Sequence, residues 1–196
     1  MKVSGCWSHE RGESLVFERG LGELYAEARG VVGETRVKLV SDKTENSLRL
    51  IHHQILTGLA RREWEVGARV FPPSAPAKFL HGHYRLDATK RAGGGSALGV
   101  VCHLGSSEFL VRQLMLIAEA VRRKIVDCAV VALITNDWKL YVAGRPACYE
   151  QAQRFLRAYG QSGFAGIPIV LWGLIPECTP RRPTHAGRDL PVAVRG

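Results

Sequence analysis

Apolar residues recur along the chain with two periods, and the switch between them outlines an α/β protein. Over residues 12–30, Leu15, Leu21, Leu24, Tyr25 and Ala28 fall at helical spacing. Gly20 and Gly22 interrupt them, so one helix or two short ones are expected. Leu48, Ile51, Ile55 and Leu59 predict a further helix, with Ser41 or Thr44 as its N-cap. From Trp64 to Phe71 the period turns to two, and Pro72 and Pro73 end the run. The stretch from His83 to Ala88 alternates strictly, with Tyr84, Leu86 and Ala88 on one face and His83, Arg85 and Asp87 on the other. Lys90, Arg91 and the glycines Gly93 to Gly95 read as a turn into a second strand over Leu98 to Leu104, giving a hairpin.

The strongest helical pattern comes next. Ser107 is placed to cap it, Glu108 lies in its positive first turn, and Leu110, Leu114, Ile117 and Val121 form the apolar stripe. Cys128 to Thr135 and Ile167 to Ile175 are continuously apolar, as strands buried on both faces are. Between them, Pro146 to Tyr159 predicts a helix closed by Gly160. The order is helices, a hairpin region, then strand–helix–strand–helix–strand. That is an α/β fold with a central mixed β-sheet flanked by helices, one domain over residues 1–176, followed by a flexible basic tail over 177–196.

Charge adds a direction to this outline. A net charge of +9 and a pI near 9.7 point to a polyanionic partner. The apolar runs are too short for a membrane span. MKVSGCWSHERG carries no apolar stretch after its lysine, so a cytoplasmic protein is expected rather than a secreted one. Five cysteines (Cys6, Cys102, Cys128, Cys148, Cys178) with no CxxC pair predict buried reduced thiols rather than disulfides. Cys6 and His9 have a tolerable zinc-ligand spacing, but no second pair accompanies them.

A strand with an acidic residue, a hairpin turn, a second strand and then a helix is the layout of a metal-dependent nuclease site. In such a site two carboxylates hold a hard divalent cation against a phosphodiester, and a neighbouring Lys, Gln or Glu positions the attacking water. Four segments carry a more specific likeness: WSHERGESL, TRVKLVSDKT with the helix and turn after it, HYRLDATKR, and GVVCHLGSSEFLVRQL followed by VDCAVVALIT. In their order and spacing the chain resembles the BglII-type branch of the restriction endonucleases, within the PD-(D/E)XK superfamily. The likeness runs from Trp7 to Thr135 and implies a restriction-endonuclease-like fold.

The resemblance places Asp87 on the family's metal-binding Asp. Where the family has Glu, one residue, then Gln, Glu or Lys, this chain has Val101, Cys102 and His103; the following Gly105 is kept. Val101 cannot ligate a metal, and the His103 imidazole prefers softer metals than magnesium. Glu108 or Glu119 are candidates for a displaced catalytic carboxylate; their plainer roles are a helix-dipole partner and a solvated face. Mg2+ is the implied cofactor if the site is active, and none otherwise. His81 and His83 read as surface or DNA-facing groups, the pairs His52–His53 and Arg61–Arg62 as helix-surface charges, and Trp7 and Trp64 as core or hinge aromatics. Lys38, Lys43, Lys90 and Arg91 flank the segments resembling DNA-cleft elements, and Arg85 shares the Asp87 face, so these five are the expected contacts to double-stranded DNA.

Three functions are open on this reading. The chain is a DNA-binding protein that has lost cleavage and serves as a recognition or partner subunit in DNA restriction, as a homodimer or beside an active nuclease. Alternatively it is an active endonuclease with a rearranged site of Asp87, His103 and Glu108 or Glu119. The third is a protein-interaction module on the same scaffold, its charge incidental.

Overall fold

A computed structural model of the chain describes residues 1–37, 46–76 and 84–177. The elements in chain order are β1 (Lys2–His9), α1 (Gly12–Glu18), α2 (Gly22–Glu34), α3 (Leu48–Ala60), β2 (Glu65–Arg69), β3 (Arg85–Arg91) and β4 (Ala97–Cys102). A 3-10 turn (Ser107–Phe109) leads into α4 (Leu110–Arg122), and β5 (Cys128–Ile134), α5 (Asn136–Lys139), α6 (Tyr149–Gly163) and β6 (Ile169–Ile175) complete the order. The strands form a six-stranded sheet in the order β1-β6-β5-β4-β3-β2. The central strands β4, β5 and β6 are parallel, while β1, β3 and β2 run antiparallel to their neighbours. The sheet is therefore mixed and flanked by helices, as the element order predicted.

Every residue of β5 is buried, which is why its sequence lacks the alternation of a one-sided strand. Two apolar cores lie against the sheet. One joins Val16, Leu24, Ile51, Ile55 and Leu59 from α1, α2 and α3 to Trp172 of β6. The other joins Leu110, Leu114 and Ile117 of α4 and Leu156 of α6 to Val131 and Leu171. Gly20, with φ 67°, makes the break that divides α1 from α2. Gly12 opens α1 so close to β6 that a Cβ there would sit 2.7 Å from the Ile169 carbonyl oxygen. Cys102, Cys128 and Cys148 are buried free thiols, and burial pushes the Cys128 thiol up to about 12. Cys6 is exposed, and Cys178 lies outside the described residues. No described helix is long and apolar enough to cross a membrane.

Several local expectations need correction. β1 had no counterpart in the apolar pattern, because KVSGCWSH pairs along one edge only and has few apolar residues to alternate. The N-cap of α3 is Ser47, whose side chain accepts from Leu50 N, rather than Ser41 or Thr44, which lie outside the described residues. Lys90 and Arg91 belong to β3, and the turn is confined to Ala92–Ser96, where Ala92 N donates to Ser96 O and Gly95 N to Ala92 O. Ser106, rather than Ser107, caps the turn before α4 by accepting from Glu108 N. Helix α6 begins at Tyr149 and runs through Gly160 to Gly163. Gly160 is small because the buried His9 ring packs on it: a Cβ would meet His9 Cε1 at 2.5 Å.

Candidate functional site

The hairpin strands β3 and β4 pair from Arg91–Ala97 to Ala88–Val100 and then part. Beyond that point the Cys102 amide donates to the Asp87 side chain, 2.7 Å from Oδ2, instead of to main chain. His52 of α3 brings its Nε2 to 3.2 Å from the same oxygen. On the other side of β3, Gly67 sits within β2 at φ 72°, and Arg85 Nη1 donates to the Gly67 carbonyl at 3.3 Å. The Asp87 carboxylate thus ties α3 to β4 where the two strands separate.

The separation opens a cleft of about 350 Å³. Leu48, Arg49 and His52 line it from α3, Arg85 and Asp87 from β3, Val101 to Gly105 from β4 and its exit, and Arg112 and Gln113 from α4. Among the described lining residues Asp87 is the one carboxylate, against three arginines and two histidines. Arg112 holds its guanidinium 4.5 Å over the Phe109 ring. The Nε atoms of Arg85 and Arg112 are both buried with no hydrogen-bond partner. That is a costly arrangement for charged donors unless something else supplies an acceptor.

The two histidines titrate in opposite directions. The hydrogen bond to Asp87 raises the His52 pKa above its ordinary 6.5, against a smaller opposing effect of burial. For His103 burial is the largest influence and lowers the pKa, outweighing the Ser106 carbonyl and the charge of Asp87. His103 Nε2 lies 3.1 Å from the Ser106 carbonyl oxygen, which only accepts, so Nε2 carries the proton and Nδ1 is the acceptor nitrogen. Cys102 is fully buried, and burial first, then Asp87, drives its thiol pKa well above 9.0. Val101, where the resemblance implies a Glu, is 1% exposed and paired with Val131 of β5.

The remaining candidates are scattered. Glu108 is exposed in the 3-10 turn and does not line the cleft. Glu119 lies two turns beyond Arg112 on α4, roughly 10 Å along the axis, and binds Arg123 Nε at 2.5 Å. Lys90 donates to Glu27 Oε1 at 2.9 Å and to the Arg62 carbonyl at 2.7 Å. Arg91 is exposed and donates to Gly95 O within its own hairpin. Lys38, Lys43, His81 and His83 lie outside the described residues. No group of three or more His, Cys, Asp or Glu side chains that would hold a metal ion occurs among the described residues.

Sequence reasoning missed His52, Arg49 and Arg112. His52 stands four residues after Leu48, at the edge of the α3 apolar stripe, and that offset is the signal that places it over the hairpin. Arg112 falls off the apolar stripe of α4, and its place in the first turn of that helix puts it at the strand ends.

No protein-family model matches the sequence, and no curated protein matches it. Among solved structures, the chain is similar to the restriction endonuclease BglII in complex with a DNA 16-mer. The TM-score is 0.68 at 16% identity, over 92% of this chain and 79% of that one. It is also similar to free BglII, with a TM-score of 0.59 at 15% identity over 92% of this chain and 82% of the other. The chain has the restriction-endonuclease-like fold.

Proposed function

We propose that this chain is a double-stranded-DNA-binding protein that no longer cleaves DNA, acting as a recognition or partner subunit in restriction. The observation that carries this reading is the charge of the cleft. Its one described carboxylate already holds His52 and the Cys102 amide, and Arg49, Arg85 and Arg112 surround it. Magnesium takes oxygen ligands in strict octahedral geometry, usually from one or two carboxylates and waters. Val101 offers no ligand, the arginines repel a cation, and His103 offers a softer nitrogen. The donor set does not fit Mg2+. It suits a phosphodiester, and the net charge of +9 suits the rest of a duplex. That BglII shares the fold in a complex with DNA supports duplex DNA as the polyanionic partner.

The second reading, an active endonuclease, draws on His103. Burial keeps it neutral, and its Nδ1 is an acceptor in the same cleft as Asp87. Glu108 or Glu119 would have to move into the cleft to supply a second carboxylate.

Retention on duplex DNA at increasing salt tests the main reading. If the three cleft arginines each neutralise one phosphate, log K falls against log salt with a slope of roughly −3 or steeper. Salt-insensitive or absent binding would leave the interaction-module reading. Incubating supercoiled plasmid with magnesium or manganese separates the other two, because cleavage abolished by Asp87→Ala would establish the active enzyme. Sedimentation with and without duplex distinguishes a homodimer from a subunit that needs another protein.

A further inference from the structure

We propose that the cleft is a phosphate site in which the guanidinium groups of Arg85 and Arg112 hold the anion directly, with no divalent cation bridging it. The DNA part of this proposal rests on the function proposed above; the anion part does not. Three observations on the cleft converge.

Each arginine is held in place by something other than an acid. Arg85 is pinned through Nη1 to the Gly67 carbonyl, and Arg112 is stacked on Phe109. Each also keeps a buried Nε–H without an acceptor in the protein. Neither arginine has an acidic partner among the described residues, and both line one cavity, so an oxyanion seated between their guanidinium groups would supply the missing counter-charge. The planar guanidinium fork matches the tetrahedral oxygens of phosphate, two donors to two oxygens.

The one described carboxylate that would repel such an anion is partly neutralised. Both contacts of Asp87 converge on Oδ2, one from the Cys102 amide and one from His52. Arg49 adds a third positive group on the α3 wall. The space is also sufficient: about 350 Å³ takes a phosphate group with its neighbouring atoms or waters. The ligand chemistry is a phosphate group, either an internal phosphodiester or a terminal monoester.

The test is titration of inorganic phosphate into the whole protein by calorimetry, in EDTA, with ionic strength balanced by chloride. One saturable site is expected. Arg112→Gln and Arg85→Gln are expected to weaken it at least about tenfold, the scale of one lost charge-assisted hydrogen bond. Arg154→Gln on the exposed face of α6 is expected to leave it unchanged. Should either glutamine variant fail to fold, Arg112→Lys and Arg85→Lys keep the charge but lose the fork, and a several-fold loss is expected. Absence of saturable binding, equal loss in Arg154→Gln, or a tenfold gain on replacing EDTA with magnesium would each overturn the proposal.

Two duplexes differing only in a 5′-phosphate identify the source. Equal competition with inorganic phosphate marks an internal phosphodiester, and a tenfold preference for the phosphorylated end marks a monoester. If inorganic phosphate binds and neither duplex competes, the DNA reading fails and the anion site stands. If duplex binds with salt sensitivity and the arginine variants do not weaken it, the site fails and the DNA reading stands.

Discussion

Strand β3 carries a charged cluster toward each end. In one, Lys90 Nζ reaches Glu27 Oε1 at 2.9 Å and the Arg62 carbonyl at 2.7 Å, and Trp64 Nε1 donates to the same Glu27 oxygen at 2.5 Å. In the other, three residues back along the strand and roughly 10 Å away, Asp87 meets His52 and the Cys102 amide beneath three arginines. The Lys90 cluster is closed: each donor has an acceptor, and one cation faces one anion. The Asp87 cluster is open: its cations outnumber its carboxylate, and two guanidinium donors have no acceptor. Charge consumed inside the fold serves stability, and charge left over at a cleft is available to a ligand. Lys90 and Arg85 looked equivalent as DNA contacts in the sequence, and this difference separates them.

The largest effect is expected from opening the closed cluster. Burial raises the Glu27 pKa, but the hydrogen bonds from Lys90 and Trp64 outweigh it, and the net shift is downward. Glu27→Ala would leave the Trp64 indole N–H without its acceptor and the Lys90 ammonium without its counter-charge, holding only the Arg62 carbonyl. Breaking a fully buried pair costs about 3–5 kcal/mol. Here the side chains are 23% and 30% exposed, so a loss of about 2 kcal/mol is expected in urea unfolding. DNA affinity of the folded protein should not change. A loss of DNA binding at constant stability would mean the two clusters are not separate in function.

At the open cluster the expected effect is smaller and of opposite sign for binding. Asp87→Asn keeps a carbonyl oxygen for the Cys102 amide but removes the charge that faces the incoming phosphate. Stability should fall by about 1 kcal/mol, from loss of a charge-assisted bond. Affinity for duplex at low salt should rise a few-fold, since a repulsion between charges near a protein surface is worth on the order of 1 kcal/mol. Weaker DNA binding would show instead that Asp87 contributes to recognition, for example by holding a bridging cation.

These clusters also show what the sequence could and could not reveal. The buried strands Cys128–Ile134 and Ile169–Ile175 and helix α4 were legible because continuous or periodic apolar residues report burial directly. Strand β1 was not, since an edge strand of KVSGCWSH leaves little apolar signal. Asp87 was singled out through the resemblance, and it lines one cleft with His103. His52 and Arg112 were not found, because their role depends on where α3 and α4 cross the hairpin, and a helix-surface pattern does not encode that crossing. Glu108 lies close in sequence to the site and Glu119 farther along the same helix, and helix geometry carries Glu119 two turns down α4 to Arg123. The Glu27–Lys90 pair spans 63 residues of sequence and has no local signature.

The smallest effect, and the sharpest probe of the open cluster, is its pH dependence. The His52 pKa is raised in the folded protein, chiefly by its hydrogen bond to Asp87. A raised folded pKa means that protonated His52 favours the folded state. Its contribution is complete below the unfolded value near 6.5 and is lost as pH rises through the higher folded value. His103 works the other way: burial lowers its folded pKa, so its contribution to stability is lost as pH falls through 6.5 toward that lower value. The two histidines, Arg112 and Asp87 share one field, so the whole-protein curve blends opposing slopes. The difference between wild type and His52→Gln isolates the first. It is expected to be largest at about pH 5.5–6, where unperturbed histidine is mostly protonated, and to shrink steadily above neutrality. Adding inorganic phosphate should hold this difference to higher pH if the anion sits among these groups, because a bound negative charge favours protonated His52. A difference that grows as pH rises would mean that neutral His52 is the form the fold prefers, and that Asp87 is not the group controlling it.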